Sequence, residues 1–334
     1  MTFDKIMTEL TNKVFHPIYF LTGDEPYYID QVSDYIEKHA LSETEKPFNQ
    51  VVIYGNDVDA AAVINTAKRY PMMSKHQVVI VKEAQNIKNI DDLVYYVESP
   101  LKSTILVINH KYKKLDKRKK LFLSLSKNAV VLESNKLYES KIPEWITNYL
   151  EQKEIRILPA AAAMLTEFLG NDLGRIVNEL EKLKLTLPPS EKTINAAHIE
   201  KNIGISKDYN NFELHNALIE RNALKANRII NYFDKNQKIN PITLTITSLY
   251  FFFSKVFMYH GLEDKGRNNV AAALKISPFF VSDYQKAAKS YPAGKVKNII
   301  AWLREYDLKS KGMGNVSATP GDLLKELIFK IIHS

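Results

Sequence analysis

Cysteine is absent from all 334 residues, which excludes disulfides, thiolate zinc sites, iron–sulfur clusters and a cysteine nucleophile together. A reducing compartment suits such a chain, and a cytoplasmic location is expected. Paired metal ligands are also missing. The eight histidines stand at 16, 39, 76, 110, 198, 215, 260 and 333, no two closer than 17 residues, so no helix turn carries two of them. No Gly-x-Ser-x-Gly elbow occurs. Asp4, Lys5 and Glu9 interrupt the first 13 residues, which therefore lack the apolar stretch of a secretory signal. Long hydrophobic runs are scarce as well. The charge-free stretch 239–254 has 16 residues, includes Thr243, Thr245, Thr247 and Ser248, and stops at Lys255. A membrane span takes about 20 mostly apolar residues, so a buried helix is expected there and no membrane association.

What is present suits a soluble globular chain: 45% hydrophobic and 25% charged residues. The length is roughly two to three times a usual domain of about 100 to 150 residues. Charge is unevenly placed. Residues 1–208 hold 28 basic and 28 acidic side chains and residues 209–334 hold 18 and 10, so the whole net charge of +8 lies in the last third. Lysine accounts for 38 of the 46 basic residues, giving mobile point charges without arginine's planar fork. A solvated surface and a face lying close to a polyanion such as nucleic acid both fit this bias.

Five short runs rich in β-branched or aromatic residues recur early: Ile18–Leu21, Gln50–Tyr54, Gln77–Val81, Thr104–Asn109 and Ala129–Glu133. Helical patterns separate them, notably Tyr27–Ala40 with Ile29, Val32 and Ile36 on one side, and Ala60–Arg69 with Val63, Ile64 and Ala67. Strands alternating with helices predict a mostly parallel sheet covered on both faces. Beyond Glu133 the strand signal nearly vanishes, and helices are predicted from Pro143, over Ala160–Leu169, and over Leu173–Leu187. Three domains are expected: an α/β domain at 1–140, a small helical domain at 141–208 and an all-α domain at 209–334. The clearest loops of the last domain are Gly261–Asn269 and Gly312–Gly321.

An alternating strand–helix domain most often holds a nucleotide at the loop after its first strand. Here that loop reads Thr22, Gly23, Asp24, Glu25, Pro26, Tyr27. Two carboxylates stand where phosphates would, Pro26 removes an N–H donor, and no Lys followed by Ser or Thr is present. A nucleotide fold with a closed nucleotide site follows, with no catalytic residue, cofactor or metal assigned. Gly261, Gly266, Arg267 and Asn268 have the glycine spacing of a phosphate loop, but Arg and Asn replace Lys and Ser or Thr and an aromatic helix precedes them, so a surface loop is expected.

Several strings in order now carry a resemblance: Ile18-Tyr19-Phe20-Leu21-Thr22-Gly23-Asp24-Glu25, Leu115-Asp116-Lys117-Arg118-Lys119-Lys120-Leu121, Gly170-Asn171-Asp172-Leu173 leading to Glu179-Leu180-Glu181-Lys182-Leu183, Phe212-Glu213-Leu214, and Asp307-Leu308-Lys309. The chain resembles the delta subunit of the bacterial DNA polymerase III clamp loader. The resemblance implies an AAA+-type α/β domain, a helical lid at 141–208, and a helical collar at 209–334 that assembles with gamma/tau and delta-prime sister subunits into a hetero-pentamer. It implies a subunit of the polymerase holoenzyme that binds the beta sliding clamp and opens its ring for loading onto primed DNA, without hydrolysing ATP itself.

In that family an adjacent hydrophobic pair before the third strand grips the clamp, and the matching positions here are Met72 and Met73 after Pro71. On the residues alone, a place in the domain's own core is the first reading for two large apolar side chains. The resemblance implies the opposite, a plug for a hydrophobic pocket, which the adaptable thioether suits. Methionines replace the more usual leucine and phenylalanine types. The strongest charge run, Lys111, Lys113, Lys114, Lys117, Arg118, Lys119 and Lys120, reads as a solvated surface helix start ahead of a DNA contact, and the resemblance implies that it belongs to the α/β domain's core motif, with no DNA role carried over. DNA-facing candidates are placed in the basic collar, at Lys295, Lys297, Lys309 and Lys311. A nucleotide-fold enzyme with an unrecognised site and a stand-alone nucleic-acid-binding protein are the competing readings, separated by ATP binding and by salt-dependent DNA binding of the isolated chain.

Overall fold

The computed structural model describes residues 1–113, 115–188, 191–203, 206 and 208–334. Lys114 of the basic run lies outside the described residues. Contacts divide the chain into two compact units, Met1–Leu137 with Asp172–Gly174, and Tyr138–Asn171 with Arg175–Ser334.

The first unit is built on five parallel strands: β1 (Ile18–Gly23), β2 (Gln50–Tyr54), β3 (Gln77–Lys82), β4 (Thr104–Lys111) and β5 (Val130–Glu133), ordered β2-β3-β4-β1-β5. All five lie where the β-branched runs predict them, with ends shifted by at most two residues. Six helices accompany them: α1 (Phe3–Thr11), α2 (Pro26–His39), α3 (Lys46–Asn49), α4 (Ala60–Ala67), α5 (Val94–Val97) and α6 (Lys120–Asn128). Alternation along β3 and β4 feeds two separate cores. Val79, Val81, Leu106 and Ile108 pack with Val63, Leu121 and Leu125 on one face. Val78, Ile80, Ile105 and Val107 pack with Ile29, Val32 and Ile36 of α2 on the other. Each such buried aliphatic side chain contributes about 1.5–3 kcal/mol, so three on α2 fix that helix to the sheet. Helix α1 was not expected from the sequence. Its buried Ile6 and Leu10 are four apart, and two contacts in nine residues give too short a period to read.

In the second unit, α7 (Ile142–Glu151), α8 (Pro159–Leu169), α9 (Leu173–Thr186) and α10 (Ala196–Ile203) precede α11 (Asn211–Ile219), α12 (Ala223–Lys235), α13 (Ile242–His260), α14 (Arg267–Leu274), α15 (Val281–Ser290), α16 (Ala293–Ser310) and α17 (Pro320–Ile332). Gly170 ends α8 at φ +67°, a backbone conformation that glycine adopts without steric cost. A two-residue parallel pair, β6 (Arg156–Ile157) with β7 (Thr193–Ile194), falls where no strand was predicted. Two residues show no alternation, so only tertiary pairing defines them. Residues 267–269, expected in a loop, open α14 instead.

Helix α13 runs 19 residues, continuing through Lys255 beyond the charge-free run, and has the length and composition of a membrane span. It is half-sided and not buried all round: Leu249, Phe252, Phe253 and Val256 enter the core of the unit, while Leu244, Tyr250, Phe251 and Phe257 are exposed.

Candidate functional site

The segment after α4 is anchored before it turns outward. A helix leaves its last carbonyls without intrahelical partners. Here Thr66 O accepts from Gln77 Nε2 at 2.7 Å, and Ala67 O accepts from Thr104 Oγ1 at 2.8 Å and Tyr96 OH at 3.3 Å. All three donors are buried and belong to β3, β4 and α5, so the end of α4 is tied to the sheet. From there the chain emerges: Tyr70 is exposed, Pro71 half-buried, Met72 63% exposed and Met73 104% exposed. Neither methionine enters the core, which removes the reading that residue type alone favoured.

The turn that presents the pair is held from one neighbouring element. Buried Asn49, the last residue of α3, donates from Nδ2 to Met72 O at 2.9 Å and accepts from Met72 N–H at Oδ1, 2.6 Å. Met73 then takes a left-handed φ of 53°, costly for a non-glycine residue by about 1–2 kcal/mol. Ser74 Oγ donates to His76 O at 3.2 Å and accepts from His76 N–H at 3.4 Å. Ahead of α3, Glu45 accepts from Ser42 Oγ at 2.6 Å and Ser42 N–H at 2.9 Å. These bonds hold its carboxyl well below the ordinary range, at about 2. Asn49 and Glu45 were missed in the sequence, where an Asn before a strand reads as a turn former.

The loop after β1 is closed by its own atoms. Glu25 caps α2, accepting from Tyr27 N–H at 3.0 Å, with Pro26 as the first helical residue. The Glu25 N–H donates to Ser134 O at 3.1 Å, Ser134 N–H donates to Thr22 O at 2.7 Å, and Ser134 Oγ donates to Glu25 O at 2.7 Å. Tyr112 N–H donates to Gly23 O at 2.9 Å. The Glu25 and Tyr27 N–H groups are thus engaged with the chain itself, and a carboxylate sits at the helix end where a phosphate would lie. Burial pushes the Glu25 carboxyl above its ordinary value, against the lowering effect of the Tyr27 N–H.

The four lysines proposed to face DNA are not brought together. Lys295 and Lys297 lie in the first turns of α16 and Lys309 and Lys311 at its end, about 18 Å along the axis at 1.5 Å per residue. Lys295 donates to Ser334 O at 2.8 Å, Lys309 pairs with Glu305 at 2.6 Å and Lys311 with Asp307 at 2.6 Å, while Lys297 is exposed. The basic run of the α/β unit is likewise committed to neighbours: Lys111 pairs with Asp30, Lys117 with Glu133, Arg118 with Asp116, Lys119 with Asp91 and Lys120 with Glu98.

The helical unit also holds a cavity of about 430 Å³, walled by Met164, Phe168, Phe251, Phe252, Phe280 and Tyr284. In it Ser248 Oγ lies 3.2 Å from His215 Nε2 and 3.4 Å from Glu167 Oε1, and His215 stacks on Phe252 at 4.6 Å. Protein around Glu167 pushes its carboxyl up to about 7, although solvent reaches it from the cavity. Burial, reinforced by Lys255, pushes His215 down to about 3. Because an imidazole that resists protonation when folded protonates readily when unfolded, the stability that neutral His215 confers is complete above its ordinary value of 6.5 and is lost as pH falls toward 3. His215→Phe, which keeps the stack, should therefore gain stability relative to the parent as pH is lowered from 7 to 4, measured by urea unfolding. Parallel pH curves would show that the imidazole is freely solvated.

The strand order 5-1-4-3-2 and the loop after β1 define a parallel α/β unit of nucleotide-binding type whose first loop is closed by internal bonds. Residues 19–135 match the family model described as DNA polymerase III, delta subunit. The chain is 26% identical to DNA polymerase III subunit delta of Bacillus subtilis strain 168 over 322 residues, 93% of this chain and 92% of that one. The solved Bacillus subtilis DNA clamp loader delta protein superposes with a TM-score of 0.55 at 23% identity, covering 99% of this chain and 100% of that one. The Thermotoga maritima RuvB Holliday junction branch migration motor gives a TM-score of 0.37 at 12% identity, covering 86% of each chain. The α/β unit is thus similar to the DNA polymerase III delta-subunit family, and the likeness to the Bacillus subtilis delta subunit runs along nearly the whole chain.

Proposed function

We propose that this protein is a clamp-binding subunit of the replicative clamp loader, which grips the beta sliding clamp through Pro71, Met72 and Met73 and opens its ring for loading onto primed DNA. The observation that carries the reading is the exposed methionine pair on a pinned turn, an arrangement with no role in the domain's own core. The internally bonded loop after β1 supports a subunit that leaves ATP hydrolysis to its sisters. The exposed apolar face of α13, with Leu244, Tyr250, Phe251 and Phe257, supports a collar at 209–334 that packs against gamma/tau and delta-prime, because oligomer interfaces are enriched in aromatic residues. On this reading 1–140 is the clamp-binding domain, 141–208 the lid, and the protein works in the cytoplasm. DNA is met through the assembled complex, with the exposed Lys297 the least committed of the four collar lysines.

The test is binding of the purified full chain to the purified clamp ring with and without ATP. Saturable binding that ATP leaves unchanged is the expected result, with no ATPase activity. Micromolar ATP binding that is lost on mutation between Thr22 and Tyr27 would overturn the division of labour.

A further inference from the structure

We infer that Asn49 is the positioning residue of the Met72–Met73 contact, holding the turn in the shape that presents both side chains without itself touching the partner. The inference rests on the clamp-binding reading above. Asn49 is 3% exposed, so no partner reaches it. Its carboxamide engages both backbone groups of Met72, as a neighbouring strand would, and donates a further bond to Glu45 O at 3.2 Å. Two positions on, the Ser74 hydroxyl is bonded to the backbone of His76 in both directions. The turn is thus held at Met72 from the end of α3 and at Ser74 by the chain that follows it. Between those two pins stands Met73, fully exposed and in a left-handed conformation that L side chains seldom keep unless their surroundings impose it.

An apolar turn without such pins has alternative shapes, and ordering it on association subtracts from affinity. A preorganised turn avoids that loss. Only a carboxamide does this work at position 49: aspartate would keep the shape but set a carboxylate against the Met72 and Glu45 carbonyls, and alanine would remove every bond.

The experiment is a double-mutant cycle on the full chain, reading clamp affinity and thermal unfolding together. Asn49→Ala is expected to weaken clamp binding about 5- to 30-fold in the parent, the cost of ordering a few side chains, and less than about 2-fold where Met72 and Met73 are already alanine. The clamp is titrated high enough to saturate the weaker complexes. An equal loss in both backgrounds would mark Asn49 as a general structural residue and overturn the inference, as would no loss in either. If the methionine double variant binds normally, the contact itself is elsewhere and the clamp-binding reading fails first. Should Asn49→Ala not fold, Asn49→Ser, which keeps one hydrogen bond, runs the same cycle with the same outcomes.

Discussion

Changing Met72 and Met73 together to alanine is expected to weaken the complex with the sliding clamp about 100- to 1,000-fold while leaving thermal unfolding unchanged. Full burial of one methionine side chain is worth about 1.5–3 kcal/mol, so two that insert together account for roughly 3–5 kcal/mol. Folding stability is insensitive because both side chains already face solvent, at 63% and 104% exposure. Truncating a core residue such as Phe253 would instead cost about 3–5 kcal/mol of folding free energy. Clamp binding by surface plasmon resonance and a melting curve on the same protein check both halves. A variant that melts early would place the methionines in the core after all, and a stable one that binds normally would move the contact to another surface.

Gly23→Ala should act in the opposite sense, on folding alone. Gly23 ends β1 at φ +134°, and an added Cβ would lie 1.9 Å from Ser134 O, a backbone atom that cannot move without opening the loop. Left-handed strain of about 1–3 kcal/mol adds to that overlap, so a destabilisation of about 3–5 kcal/mol is expected in urea unfolding. Gly170→Ala serves as the control. Its φ of +67° carries the same kind of strain, but nothing lies within 4 Å of the added carbon, so about 1 kcal/mol is expected. Equal effects at the two positions would mean that the Gly23–Ser134 approach is looser than described.

Much of the α/β unit was legible because its strands are buried on both faces and read as continuous β-branched runs, Val78-Val79-Ile80-Val81 being the clearest. The helices opposite them show their period because each meets the sheet along one stripe, as Ile29, Val32 and Ile36 do. The exposure of the methionine pair was expected only through the resemblance. By residue type Met72 and Met73 belong inside a protein, and nothing in their own neighbourhood of sequence says otherwise.

Chain-local chemistry determined the strands, the helix caps and the absence of a phosphate-loop motif after β1, since each depends on residues within a few positions of one another: Glu25 caps a helix that begins at Pro26, and no lysine follows. Distant pairings were left to the tertiary structure. The Met72 backbone is bonded to Asn49, 23 residues away, and Lys111, Lys117, Lys119 and Lys120 are spent on Asp30, Glu133, Asp91 and Glu98 across the unit. The loop after β1 is sealed by Ser134, which lies 109 residues beyond the Glu25 it holds. A hydrogen bond or ion pair depends on separation in space, which sequence neighbours constrain only over a turn or two, so whether a polar or apolar side chain is free for a partner was decided by the fold.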